Sequence, residues 1–398
     1  MIYAMNCLLC YNAPMIFFKK IFAKNILSLL TRLLFAKRKK MTAKTLLVIR
    51  LDGIGDYTLF RNFLQFLRSS EKYGDYNITL LGDKTWSDIS EFLDKSYVNQ
   101  FIWLDRGKFF KDPFYALKFL RELSDLSFET LISPVFTRNL FFTDTFAKII
   151  SAKHKIASYG DFTDITLSQK NISNKWYTQI IEPKPKIMFE FDRNKEFFEA
   201  LTQEKSSLTK PFINLPKNHA ASALSDSLPK PYAVIFTGGT ELFRRWPESN
   251  YLKVALHLKQ NHNLNIVLCG GTNDLAFDSP LITHKALSAV NLSGKTSLIE
   301  LLYILKNSEA VISNETGSVH LACALSDKTK IVTVSNGNNI GRFAPYPALF
   351  ANYKAVFHPI IEENCHALLN REFTTPCYLN ISEITPDRVI KAYESLCG

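Results

Sequence analysis

The sequence predicts an α/β chain made of two doubly wound halves. Three observations carry this prediction. First, Thr45–Arg61, TLLVIRLDGIGDYTLFR, reads as a buried strand, a glycine turn and a helix, the opening unit of a parallel sheet covered by helices. Second, strand-like and helical runs then alternate to about residue 159, and alternate again from Tyr232 to Ser335; βαβα order favours a parallel sheet each time. Third, residues 205–231 change texture: Pro211, Pro216, Pro229 and Pro231 stand among serines, lysines and asparagine, the composition of a linker.

In the first half, the apolar run Leu46-Leu47-Val48-Ile49 predicts strand 45–50. Gly53 and Gly55 make the turn, and Leu59, Phe60, Phe63, Leu64, Phe66 and Leu67 predict a helix over 57–69. Strands follow at 77–82, 100–105, 129–134 and 155–159, with helices near 84–94, 112–125 and 139–151. A further helix is expected near 189–204. In the second half, strands are expected at 232–237, 265–269, 289–293, 309–313 and 330–335, with helices at 249–261, 273–287, 297–307 and 317–325. A last helix near 386–396 is expected to run back onto the first half. The resulting domain plan is an extension at 1–44, a first Rossmann-like domain at 45–205, a linker at 206–231, a second Rossmann-like domain at 232–380, and a C-terminal helix at 381–398.

Charge is unevenly placed. Lys+Arg exceed Asp+Glu by 48 − 37 = +11 over 398 residues. Residues 1–44 hold Lys19, Lys20, Lys24, Arg32, Lys37, Arg38, Lys39, Lys40 and Lys44 and no acid. That leaves +2 for the rest, so the globular part is nearly balanced and nucleic acid is not an expected partner. Within residues 16–36 the basic residues keep to one helical face and apolar residues cover the others, a pattern suited to an anionic membrane surface. A spanning helix would bury four charges, and a cleaved signal would carry its charges before its apolar stretch. A start at Met41, which would make the arm an upstream extension, stays open. The seven scattered cysteines favour a reducing compartment, and Cys7-Leu-Leu-Cys10 has no second pair nearby to complete a metal set.

Four loops contain residue types able to do chemistry. Asp56, after Gly53-Ile54-Gly55, lies where strand ends present ligands in such sheets. The third glycine of a dinucleotide fingerprint is absent, and a carboxylate here would repel phosphate. Asp56 reads either as a helix N-cap or as a base for a substrate hydroxyl. Thr237-Gly238-Gly239-Thr240 ends the first strand of the second half, with Arg244-Arg245-Trp246-Pro247 behind it. Free glycine-turn N–H groups and two guanidinium groups make a plausible diphosphate site; solvated arginines on an ordinary loop are the alternative. Gly270-Gly271-Thr272 ends the next strand in the same way. Gly294-Lys295-Thr296 lacks the upstream glycine of a P-loop, and Thr296 or Ser297 is read as a helix cap. Asn314-Glu315-Thr316-Gly317-Ser318 joins a strand to a helix, so the N–H groups of Thr316, Gly317 and Ser318 could bind phosphate. Glu315 could accept from a sugar or ribose hydroxyl. His320, one turn on, either faces the same place or is a structural histidine.

Taken together and in this order, IRLDGIGDYTLFRN, FTGGTELFRRWPESNYLKVA and LSGKTSLIELLYILKNSEAVISNETGSVHLACAL resemble glycosyltransferase family 9, the lipopolysaccharide heptosyltransferases, from about Thr45 to Pro347. The resemblance implies a GT-B fold, two Rossmann-like domains facing across a cleft. It implies inverting, metal-independent transfer from a nucleotide-diphosphate sugar, typically ADP-heptose, to a lipid-linked or lipopolysaccharide acceptor. The implied place of action is cytoplasmic, peripheral on the inner face of a bacterial inner membrane. Asp56 falls on the family's acceptor-side base, in the loop of Gly53 and Gly55. Thr237, Gly238, Gly239, Thr240, Arg244, Arg245, Asn314, Glu315, Thr316, Gly317, Ser318 and His320 fall on donor-side positions. Three departures stand out: Glu315 replaces the usual aspartate, arginine replaces a common lysine before Trp246-Pro247, and Ser335-Asn336-Gly337-Asn338-Asn339 replaces a glycine-proline-threonine loop. A sugar-nucleotide epimerase and a non-catalytic membrane-associated glycan-binding protein are the other classes compatible with the residues.

Overall fold

The computed structural model describes residues 42–239, 241–370 and 377–398. The basic arm at 16–40, the Cys7–Cys10 pair, Met41 and Thr240 lie outside the described residues. The chain forms two compact units. Among the described residues, one takes 42–51, Thr79–Lys84 and Ile102–Ile180; the other takes Asp52–Ile78, Thr85–Phe101 and those that follow from Ile181.

The first sheet is ordered β3-β2-β1-β4-β5-β6: β1 Thr45–Arg50, β2 Asn77–Asp83, β3 Gln100–Leu104, β4 Ser127–Ser133, β5 Ser151–Ser158 and β6 Gln179–Ile181. β1 runs parallel to β4 with Leu47 opposite Leu131, and β4 parallel to β5. Leu47, Ile49, Leu81, Leu104 and Leu131 meet Phe119, Phe146 and Ile150 in the core of the first unit. Around these strands the chain forms helices Arg106–Lys111, Pro113–Ser124, Thr145–Ile149 and Leu167–Ser173. Pro113 opens its helix behind Asp112, whose carboxylate accepts from the Phe114 and Tyr115 N–H groups. In the expected 139–151 helix, Leu140–Asp144 forms a π-helical turn before Thr145–Ile149, and β5 starts earlier than expected, at Ser151.

The second unit contains helices from both ends of the chain. Those used below are α1 Ile54–Phe60, α2 Asn62–Ser69, α3 Ser87–Asp94, α4 Glu190–Thr202, α5 Glu248–His262, α6 Leu275–Thr283, α7 Leu298–Lys306, α8 Gly317–Leu325 and α9 Pro386–Glu394. Its sheet is ordered β12-β11-β10-β7-β8-β9, with β7 Tyr232–Phe236, β8 Asn265–Leu268, β9 Val290–Asn291, β10 Ala310–Asn314, β11 Lys330–Ser335 and β12 Tyr353–Phe357. β10 is parallel to β7, with Ser313 opposite Phe236, and to β11. Numbered from its own first strand, this order repeats that of the first sheet: each has the 3-2-1-4-5-6 arrangement of a doubly wound fold. Tyr251, Val254, Ala255 and Leu258 of α5 cover the sheet through Ile235, Ile266 and Leu268.

The unit boundaries differ from the 45–205 and 232–380 plan. Helices α1 and α2 pack on α4, α1 also packs on α8, and α3 packs on α7. Phe63 is tilted on Phe191 at 5.1 Å and stacked on Phe198 at 5.3 Å, so these helices bury their apolar faces in the second unit. Residues 206–231 are irregular apart from Ser222–Ser227. Their backbone is nonetheless held, since Ile213 N–H donates to Ala324 and the Phe212 carbonyl accepts from Asn62 and Arg61.

The C-terminal helix corrects the expectation that it runs back onto the first half. α9 packs on α5, β11 and β12. Its Val389 and Tyr393, with Ile384 before it, belong to the core of the second sheet. The Trp246 indole also donates to the Ile384 carbonyl at 2.7 Å. β12 and the short helices Pro359–Glu363 and Cys365–Leu369 complete the edge that α9 covers.

Candidate functional site

β7 and β10 are neighbours at which the strand order of the second sheet reverses. Connections leave such a pair in opposite directions and open a crevice beyond its carboxyl ends. The Thr237–Gly239 loop follows β7 and the Glu315–Thr316 turn follows β10. With the loops after β8 and β9 they enclose a cavity of about 490 Å³, lined by Gly238, Gly239, Arg245, Gly270, Gly271, Asn273, Asp274, Gly294, Thr296, Thr316 and Ser318. Ile54, Phe236, Leu298, Leu301 and Leu321 supply an apolar wall. An apolar cavity with a few convergent polar groups suits a small ligand, and its size suits a nucleotide.

The glycines let backbone come close where side chains would not fit. A Cβ on Gly238 would lie 2.4 Å from the Asp274 carboxylate, and one on Gly270 2.8 Å from it. Asp274 itself accepts from the Gly271 N–H at 2.8 Å and stands 3.6 Å from Arg245 Nη2. Arg245 donates through Nε to the Gly239 carbonyl at 2.7 Å and lies over the Phe277 ring. Its guanidinium is thus fixed in orientation on the cavity wall.

Asn314, Glu315 and Thr237 are turned toward the protein. Asn314 is fully buried: its Nδ2 donates to the Thr237 and Gly238 carbonyls, and its Oδ1 accepts from Trp246 N–H. It ties the two loops together. Glu315 Oε1 accepts from Arg244 Nη2 at 3.1 Å and Oε2 from the Ser335 hydroxyl at 2.6 Å. Burial pushes its carboxyl up, opposed by Arg244 and Ser335. Thr237 donates to Asp278 at 2.7 Å. Burial raises the Asp278 carboxyl too, against the pull of Ser293 and Thr237. Thr316, Gly317 and Ser318 form the start of α8, with the Thr316 and Ser318 hydroxyls 2.7 Å apart. Thr316 and Ser318 reach the cavity wall.

Asp56 is not the N-cap of its helix. Gly53 holds that position, and Asp56 is the third helical residue, half-buried. The start of α1 touches the start of α8. A Cβ on Gly317 would lie 2.4 Å from Ile54 Cγ2 and 3.1 Å from the Gly55 nitrogen; one on Gly55 would lie 2.6 Å from His320 Cδ2. Both glycines are required by this approach. It places the LDGIGD turn beside the NETGS turn, with Ile54 on the cavity wall two residues before Asp56.

His320 is buried under that contact. Its Nδ1 pairs with the Tyr346 hydroxyl at 2.6 Å, and its ring lies along Tyr346 and near Phe343. Burial, then the nearby Arg244 charge, lower its pKa to about 4, so the ring is neutral at pH 7. Its ring fills the space Gly55 leaves open.

The cavity adds Asp274 and Thr296 to the residues singled out from sequence. A carboxylate three residues past a double glycine is the local signal for Asp274. Of the two cap candidates Thr296 and Ser297, Ser297 caps α7, in a capping box with Glu300, and Thr296 faces the cavity.

Comparisons with known proteins agree with this organisation. The model of glycosyltransferase family 9 (heptosyltransferase) matches residues 118–367, more than half of the chain. Lipooligosaccharide heptosyltransferase 2 of Haemophilus influenzae is 24% identical over 297 residues, 71% of this chain and 80% of that protein. Its namesake from Haemophilus ducreyi is 26% identical over 157 residues, 38% of this chain and only 43% of that protein's length. Among solved structures, the family 9 glycosyltransferase of Veillonella parvula superposes with a TM-score of 0.68 at 19% identity, over 90% of this chain and 99% of that one. The Escherichia coli heptosyltransferase WaaC, solved with ADP, gives 0.64 at 17%, over 88% and 99%. Two parallel six-stranded sheets of this kind are the GT-B architecture. The chain belongs to glycosyltransferase family 9, the heptosyltransferase family.

Proposed function

We propose that the chain transfers a heptose or related sugar from ADP-heptose, with inversion, to a lipopolysaccharide or other lipid-linked acceptor. The cavity at the β7–β10 switch carries this reading, because it combines glycine turns, an oriented Arg245 and the N-terminus of α8. The diphosphate would lie against Arg245 and the N–H groups that open α8. Arg244, held by Glu315, adds positive charge behind that turn.

Asp56 would take the proton from an acceptor hydroxyl as the oxygen attacks the anomeric carbon. The bond from that carbon to the diphosphate breaks, and the leaving group departs with the electron pair. One displacement from the opposite face inverts the centre. Arginine and backbone N–H groups meet the charge that develops on the diphosphate. Asn314 and Thr237 act through the loops they hold.

Two measurements test this. Among ADP-, GDP- and UDP-sugars, calorimetry should find tightest binding for an ADP-sugar. Arg245→Ala should weaken that binding by about 10- to 100-fold, the worth of a charge-assisted contact. Failure of every nucleotide sugar to bind the wild-type protein would sink the reading. No described helix is long and apolar enough to cross a membrane. The nine basic residues and the apolar stretch of residues 1–44 support acceptor access through the arm at 16–40 on an anionic surface. A chain lacking residues 1–40 should stop sedimenting with anionic vesicles. If it still sediments, another surface is the anchor.

A further inference from the structure

We propose that His257, His262 and Glu394 form a binding site for a divalent transition ion, with zinc the best match, that clips the C-terminal helix to the second unit. His257 and His262 lie in the last two turns of α5, and Glu394 ends α9. His257 Nε2 is 2.6 Å from Glu394 Oε1, and His262 Nε2 is 2.7 Å from the same oxygen. One ligand atom from each residue lies within 4.8 Å of the other two, and among the described residues this is the one such group of three or more histidine, cysteine or acidic side chains.

Two imidazole nitrogens and a carboxylate oxygen are a common donor set for zinc, which binds at about 2.0–2.2 Å and keeps a fourth position for water. The three side chains are part-exposed, at 21%, 23% and 41%, so an ion can enter and a water can complete the shell. Binding needs a lone pair on each Nε2. Each neutral ring then carries its proton on Nδ1, and Glu394 exchanges two N–H donors for the metal. The Tyr393 ring already stands edge-on to His262 at 4.9 Å and holds one side of the site.

The position excludes a part in sugar transfer. Arg245 lies just before α5, whereas His257 and His262 lie toward its far end; the helix has 15 residues, about 22 Å. The ion would instead join α5 to the helix that covers β11 and β12.

The test is zinc titration of the untagged, chelator-stripped full chain by calorimetry, with thermal melts. One equivalent should bind with a micromolar or tighter dissociation constant and raise the melting midpoint. His257→Gln/His262→Gln and Glu394→Gln should each weaken binding at least tenfold while circular dichroism stays that of the wild type. Cys397→Ser, which removes an exposed thiol one turn beyond Glu394, should leave binding unchanged. Absence of a zinc equivalent in the wild type, undiminished binding in the double-histidine variant, or loss of binding in Cys397→Ser would each overturn the proposal.

Discussion

Replacing Asp56 with alanine should lower the rate of sugar transfer by about 10²- to 10⁴-fold, the usual contribution of a positioned base, while nucleotide-sugar affinity changes less than about twofold. The split follows from placement. Asp56 sits in the first turn of α1, and the residues lining the cavity include Ile54 but not Asp56. Asp56→Asn keeps the shape and removes the basic site, so it should match alanine in rate. Turnover with the acceptor, read beside donor binding, checks both parts. An alanine variant that keeps its rate removes Asp56 from the mechanism; one that loses donor affinity moves it to the donor side.

A larger loss of stability is expected from Asp94→Ala. Arg61 and Asp94 are paired at 2.7 Å, with side-chain exposures of 6% and 0%. Arg61 also donates to the Phe212 and Leu93 carbonyls. Asp94 accepts from Arg61, from the Tyr57 hydroxyl and from Ser90. Tyr57 in turn stacks on Trp86 at 4.5 Å, and the Trp86 indole holds the Asp52 carbonyl at the mouth of the LDGIGD turn. Alanine at 94 leaves a buried guanidinium without its counter-charge. Breaking such a pair costs about 3–5 kcal/mol, a large share of the ordinary stability of a domain. Urea unfolding should show the unfolding free energy fall by that amount, read as a lower midpoint at unchanged slope, and activity should fall with it because α1 carries both Tyr57 and Asp56. A loss below about 1 kcal/mol would mean that water reaches the pair.

Local pattern made the strands and most helices legible, because apolar runs and glycine turns are properties of neighbours in the chain. The loops of the site were legible for the same reason: GG, RRW and NETGS each follow a strand. Long-range partners were not. Nothing near Gly55 announces that Gly317 will press against it, and nothing near Glu315 announces Ser335. Asp56 read equally well as an N-cap, since a cap is decided by one backbone angle at Gly53. β12 is not legible in the sequence because Tyr353–Phe357 is short and follows a stretch punctuated by Pro345 and Pro347. The path of the last helix is not legible either, because an amphipathic helix tells which face it buries, not against what; Val389 and Tyr393 join the core of their own sheet.

The second unit is assembled from three separate lengths of chain, and that sets an order of events during synthesis. Helices α1 to α3 leave the ribosome within the first hundred residues. Their partners come much later: Phe191 and Phe198 of α4, the helix α7, and Gly317 of α8. Until then Phe60 and Phe63 have no core to enter, and a nascent chain must carry them exposed. A fragment beginning at Ile181 inherits the opposite problem, a cavity without Ile54 and an aromatic face without its cover. The unit that holds the cavity is therefore not a detachable module: residues made later in its chain complete a core that its first-made residues began.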